Sequence, residues 1–151
     1  MADSRIVKIH KKIAEIIAVN YAAGHSGVDF SNRVYRNVTL DNIMVPSAGV
    51  KFIDSLEENT NVSLGRYRGK AIFEIYIFCP GSTNASRTDM ALNTCSDMIK
   101  SITANRQLNL GTDVDDVMCD FMSIEGDTVG IDGVGVGYVR VTVFYQSDDG
   151  A

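Results

Sequence analysis

A chain of 151 residues with 45% hydrophobic content can bury roughly 68–70% of its unfolded surface, so it needs no disulfide or metal to hold a core. That composition excludes a disordered protein, and a formal net charge of -5 argues against a general nucleic-acid-binding domain. With no run of about 18 apolar residues and with Lys8, Lys11 and Lys12 breaking the N-terminal segment, neither a membrane-spanning helix nor a signal peptide is expected.

The size prior predicts one domain over residues 1–151. Ser4 to about Tyr21 reads as a helix. Ile6, Ile9, Ile13, Ile16 and Ile17 form its buried stripe, Asp3 or Ser4 caps it, and Gly24 stops it. Residues 24–49 are punctuated by Gly, Asn, Asp and Pro46 and read as an extended arm. Short strand pieces are possible at Arg33–Leu40 and Ile43–Val45. Val50–Leu56 and Thr60–Tyr67 read as strands joined around Glu57, Glu58 and Asn59, with Gly69 separating the pair from the next strand.

Ala71–Cys79 is the central strand. Ala71, Phe73, Ile75, Ile77 and Cys79 alternate with Ile72, Glu74, Tyr76 and Phe78, so one face is wholly apolar and the other carries a charge. Pro80-Gly81-Ser82 ends it. A helix follows on the stripe Ala91, Cys95, Met98, Ile99 and Ile102, with Ser86-x-x-Asp89 as a capping signal. Val114–Ile124 and Tyr138–Tyr145 read as the last strands, separated by a glycine-rich loop over Gly126–Gly137. Residues 146–151 read as a frayed acidic tail. The predicted class is α+β: a mainly antiparallel sheet with two helices on one face, in the order α-β-β-β-α-β-β.

Chemistry-bearing motifs are few. Gly133-Val134-Gly135-Val136-Gly137 is spaced G-x-G-x-G and precedes a strand, whereas a dinucleotide fingerprint needs G-x-G-x-x-G and a helix N-terminus to grip phosphate. Asp113, Asp115, Asp116 and Asp120 suggest a cation site but lack the EF-hand spacing, so a solvated acidic edge is the expectation. His10 and His25 stand without neighbours that complete a triad or a metal site. Cys79, Cys95 and Cys119 lack C-x-x-C spacing and read as small buried hydrophobes. No enzyme, cofactor or metal is expected.

Two arginine–tyrosine clusters, Arg33-Val34-Tyr35-Arg36 and Arg66-Tyr67-Arg68, can stack on single-stranded nucleic acid or serve a protein interface. The acidic chain favours the interface. Glu57 and Glu58, on the same polar hairpin as Arg66–Arg68, complete the candidate set. Residues 1–106 carry 13 basic and 10 acidic side chains, against one and nine in residues 107–151. Such asymmetry suits solvated loops, or a positive flank meeting a negative one in a head-to-tail ring.

The sequence of features, an N-terminal helix, an arm, a polar hairpin running into G-K-A-I-F-E-I-Y-I-F, a helix with Ala91, Leu92 and Ile99, and a closing V-R-V-T-V-F-Y, resembles the tail terminator (tail completion) proteins of bacteriophages from about Ile6 to Tyr145. The resemblance implies a structural virion subunit that assembles with itself as a homohexameric ring. The ring caps the tail tube protein, ends tail polymerisation and presents a surface to the head-completion or neck protein. DNA would be a passing occupant of the channel. The resemblance also implies residence in the virion tail or neck, and in the host cytoplasm during assembly, with no membrane partner. Other head-to-tail joining proteins share the pattern. A small non-viral binding module using residues 24–49, or a metal enzyme using Asp113–Asp120, are readings from other classes.

Overall fold

The computed structural model describes residues 3–20, 30, 33–37, 46–58, 66–80, 83–111, 114–125 and 135–148. Helix α1 (Arg5–Asn20) starts at Ser4, whose hydroxyl accepts the Val7 N–H at 3.3 Å. That is the N-cap role expected of a serine. Ile9, Ile13 and Ile17 are fully buried, and Ile6 and Ile16 flank them at the margin of the core. Strands β1 (Val34–Tyr35), β2 (Ser47–Glu58) and β3 (Arg66–Cys79) follow, then helix α2 (Asn84–Thr103) and strands β4 (Asp116–Glu125) and β5 (Gly135–Asp148).

The five strands form one sheet in the order β1-β2-β3-β5-β4. Only β1 and β2 run parallel; the other neighbours are antiparallel. This is the predicted α+β class and element order. Helix α2 packs across β3, β5 and β4, and α1 lies beside it against β1 and β2. Both therefore cover the face that carries Ala71, Phe73, Ile75, Ile77 and Cys79, all fully buried together with Val139, Val141 and Val143 of β5. Alternation of side chains along each strand places the remaining residues on the opposite face.

Several predicted boundaries move, each for a tertiary reason. Gly69 does not separate two strands: β3 runs through it, with Gly69 opposite Glu57 on one side and Tyr145 on the other. A Cβ at Gly69 would stand 2.6 Å from the ring of Tyr145, so the residue is small because a buried aromatic leans over the strand there. Tyr67 belongs to β3, and residues 60–65 of the expected Thr60–Tyr67 strand lie outside the described residues. Glu57 and Glu58 are strand residues and not part of a turn. The arm ends before Ser47, where β2 begins; residues 21–29, 31–32 and 38–45 lie outside the described residues. Residues 146–148, expected to fray, continue β5 and pair with Arg66–Arg68.

The capping box of α2 is shifted by three residues. Thr83 is the N-cap, its hydroxyl accepting the Ser86 N–H at 3.1 Å while Ser86 Oγ accepts the Thr83 N–H at 3.1 Å. Gly135 and Gly137 belong to β5, not to a loop. A Cβ at Gly135 would lie 2.6 Å from the backbone oxygen of Arg87, and one at Gly137 2.6 Å from Cys95 Sγ. These glycines let α2 sit directly on the strand.

Candidate assembly surface: the open sheet face

Both helices lie on one side; among the described residues no element covers the middle of the opposite face, whose side chains are half-buried to exposed. Strand register orders that face into rows perpendicular to the strands. One row reads Lys51 on β2, Glu74 on β3, Arg140 on β5 and Asp120 on β4, so charge alternates plus, minus, plus, minus. The row beside it reads Tyr35, Gly49, Tyr76 and Tyr138. On the other side of the charged row, Ile72 and Thr142 pair, with Met118 next to Thr142. Beyond the tyrosines, at the Cys79 end, Ser47, Phe78 and Val136 are buried. The open area is thus the stretch from the tyrosine row towards Lys70 and Phe144.

Two β-bulges set this register. One extra residue, Ile53, lies between Phe52 and Asp54, and another, Met122, between Phe121 and Ser123. Each returns the strand to the correct face after an irregular step.

The centre of the face is tied together. Tyr76 O–H donates to Glu74 Oε2 at 2.5 Å, and Arg140 Nη2 lies 3.5 Å from Glu74 Oε1. The rings of Tyr76 and Tyr138 meet edge to face at 4.6 Å, a favoured aromatic geometry. Burial, then the hydrogen bond to Glu74, raises the pKa of the Tyr76 hydroxyl, so it stays protonated and remains a donor. Arg140 Nε is buried without a hydrogen-bond partner. The guanidinium is thus only partly satisfied within the subunit. At the rim, Tyr35 and Met118 are 49% and 50% exposed.

The eight predicted interface residues divide. Arg33 is half-buried and Arg36 exposed, and each bonds within the chain. Arg33 Nε donates to the Pro46 carbonyl at 2.8 Å, and Arg36 Nη2 donates to His10 Nδ1 at 3.5 Å. Tyr35, between them, faces the open side. Glu57, Glu58, Arg66, Tyr67 and Arg68 are brought together by pairing of the ends of β2, β3 and β5, with Glu58 opposite Arg68 and Arg66 opposite Asp148. Sequence reading missed Lys51, Glu74, Tyr76, Asp120, Tyr138 and Arg140 as one surface. They come from four strands, and only register aligns them.

Of the acidic run, Asp113 lies outside the described residues. Asp116 is gripped by Arg106 through two hydrogen bonds of 2.8 and 2.6 Å, which holds its carboxyl below the usual carboxylate range. Asp120 stands opposite Arg140. Among the described residues no three His, Cys, Asp or Glu side chains gather as a metal site. Burial pushes the thiols of Cys79 up to about 11 and of Cys95 and Cys119 up to about 12, so all three are protonated near neutral pH and poor nucleophiles.

His10, which the sequence left without a role, clamps α1 to β2. Its Nε2 lies 2.7 Å from the Val50 carbonyl and its ring 5.2 Å from that of Phe73. A carbonyl only accepts, so Nε2 carries the proton and Nδ1 receives the Arg36 bond. Burial, with the Arg36 charge adding to it and the Val50 bond opposing, lowers the pKa from 6.5. The unfolded chain therefore takes up the His10 proton before the folded one does. Stability is full above about pH 6.5 and declines as pH falls towards the lowered folded value. Urea titrations at pH 5.0, 6.0 and 7.5 check this: His10→Gln, which keeps a donor for Val50, should lose that slope between pH 5 and 7. An unchanged slope would place the titration elsewhere.

The fold defines an α+β protein with a one-sided helical layer. A comparison with protein-family models finds no family that matches the chain, and a comparison with curated proteins finds no significant match. Among the described residues, no helix is long and apolar enough to cross a membrane.

Proposed function

We propose that this chain is a ring-forming structural subunit of a bacteriophage tail, of the tail terminator kind, that caps the tail tube and offers a surface to the neck. The observation supporting this reading is the one-sided layering in the order α-β-β-β-α-β-β. Both helices lie on one side of the sheet, and pairing of the ends of β2, β3 and β5 gathers Glu57, Glu58, Arg66 and Arg68 at one end of it, where the reading places the contact between ring subunits. The proposal assigns no catalytic residue. Its partners are further copies of the chain, a tail tube protein and a head-completion or neck protein, in the virion tail or neck.

The test is negative-stain electron microscopy and native mass of the purified protein, alone and with tail tubes. Six-fold rings, or tubes capped at one end, are expected. Single subunits that leave tube ends bare at every concentration would overturn the reading. Within it, Arg66→Glu with Arg68→Glu should weaken ring closure at least tenfold, since an opposed charge at a contact typically costs about 1.4 kcal/mol or more. Circular dichroism should stay unchanged. Rings that form as before would remove that end of the sheet from the contact.

A further inference from the structure

The charged row across the open face has a symmetry that selects a partner. Read from β2 to β4 it is Lys51, Glu74, Arg140, Asp120, and inverting its direction inverts every sign. Turn a second copy by a half-rotation about an axis running along the strands between β3 and β5. Its β4 then lies over β2, and its β5 over β3. Each Lys51 meets an Asp120, each Glu74 meets an Arg140, and Tyr76 meets Tyr138. A half-rotation about the row itself would instead set lysine on lysine. We propose that the open sheet face is a two-fold, self-complementary contact, and that its occupant is a second copy of this chain.

Three observations carry the choice of occupant. The row is antisymmetric in charge, as an isologous contact requires, since each residue pair then occurs twice. The middle of the face is already neutralised by the Glu74–Arg140 pair at 3.5 Å, which limits what two buried charges lose on leaving water. The Arg140 side chain is 39% exposed while its Nη2 holds Glu74 at 3.5 Å, so a second Glu74 over the exposed side of the guanidinium supplies another carboxylate. A polyanion fits less well, because the row sums to zero and the chain carries -5; a strand of nucleic acid would find stacking rings but no net positive track.

The contact is small. Four strands spaced about 4.8 Å and six residue steps of about 3.3 Å span roughly 20 Å by 20 Å before side-chain relief. That is the weakly associating class of interface, so the dimer belongs to high protein concentration. It does not rest on the ring reading, because a head-to-tail ring uses a different operator.

The experiment is a charge swap followed by mass, using light scattering from about 10 μM to 1 mM, the range in which weak complexes populate. Wild type should pass from the 16.4 kDa chain to twice that mass, or to an even-numbered double ring if rings also close. Lys51→Glu and Asp120→Lys should each shift the transition at least tenfold upward in concentration. Their equimolar mixture should restore it, and so should the chain carrying both changes, because every facing pair is then again opposite in sign. Both residues are exposed, so circular dichroism should not change. Single variants that dimerise like wild type, a mixture that fails to recover, a wild type monomeric at 1 mM, or a six-subunit ring with no pairing of rings would each overturn the proposal. So would an oligothymidine that binds wild type and displaces the dimer. Loss of rings with retention of the dimer, or the reverse, separates this contact from the ring.

Discussion

Replacing Gly135 by alanine should cost the fold about 3 kcal/mol, the upper part of the range for forcing a methyl group into a packed site. The obstacle is backbone. The new Cβ would lie 2.6 Å from the carbonyl oxygen of Arg87 and 3.1 Å from its carbonyl carbon, in the first turns of α2. No rotamer relieves that contact, so the N-terminal end of the helix must lift from β5. Lifting it disturbs the seat of Ala91 and Cys95, both fully buried in the same helix. Gly137 is a built-in comparison. There the nearest atoms are side chains, Cys95 Sγ at 2.6 Å and Ile77 Cγ1 at 2.9 Å. Gly137→Ala should therefore cost less, about 1–2 kcal/mol on the same scale, and Cys95→Ala in the same chain should recover part of it as a coupling between neighbours. Chemical denaturation of the three variants reads both numbers. A Gly135→Ala protein as stable as wild type would mean that α2 does not sit this close to β5.

Those glycines also mark where sequence reading stops. Both helices and the central strand were legible because the apolar residues recur with the period of the element itself. Ile9, Ile13 and Ile17 repeat at four-residue steps, Ala91, Cys95, Met98 and Ile102 at three or four, and Ala71 to Cys79 at two, and all of these are buried. Gly69, Gly135 and Gly137 read as punctuation, because a glycine within a strand weakens it when only local preference is counted. Their reason is a partner far along the chain: the Tyr145 ring for Gly69, the first turns of α2 for Gly135, and Cys95 with Ile77 for Gly137. β1 is two residues long, shorter than any period can reveal.

The open face was legible only in part. The alternation of Ile72, Glu74, Tyr76 and Phe78 announced a second, more polar face on β3. The row that matters runs across strands, and the bulges at Ile53 and Met122 reset the facing of β2 and β4, so counting by twos along either strand assigns half of it wrongly. The arginine–tyrosine clusters depend on register in the same way. Composition marked Arg33, Tyr35 and Arg36 as one interface, yet strand alternation and the His10 and Pro46 contacts separate Tyr35 from its two neighbours. Residue type set the chemistry, and register decided which groups share a surface.

Phe73→Ala should be the most destabilising single truncation in the core, at about 4 kcal/mol, within the range for deleting a buried phenylalanine ring. Phe73 is fully buried at the centre of β3 and pairs with Phe52 on β2 and Val141 on β5. Its ring meets Phe52 edge-on at 5.7 Å and His10 at 5.2 Å. Truncation removes the apolar area and leaves a cavity beneath α1, which the sheet cannot close because β3 is held on both sides. Against a total stability of about 5–15 kcal/mol for a typical domain, such a loss is a quarter or more of what holds the chain folded. Phe73→Leu keeps most of the volume and should cost about 1–1.5 kcal/mol. The loss should reach the clamp as well. With no ring beneath it, His10 gains water, its pKa returns towards 6.5, and the fall in stability between pH 7 and 5 flattens. Urea denaturation at the two pH values measures both effects in one series. A Phe73→Ala loss below about 1 kcal/mol would be inconsistent with a ring closed in between α1 and the sheet. A full loss with an unchanged pH slope would show that His10 is desolvated by Val50 and Arg36 alone.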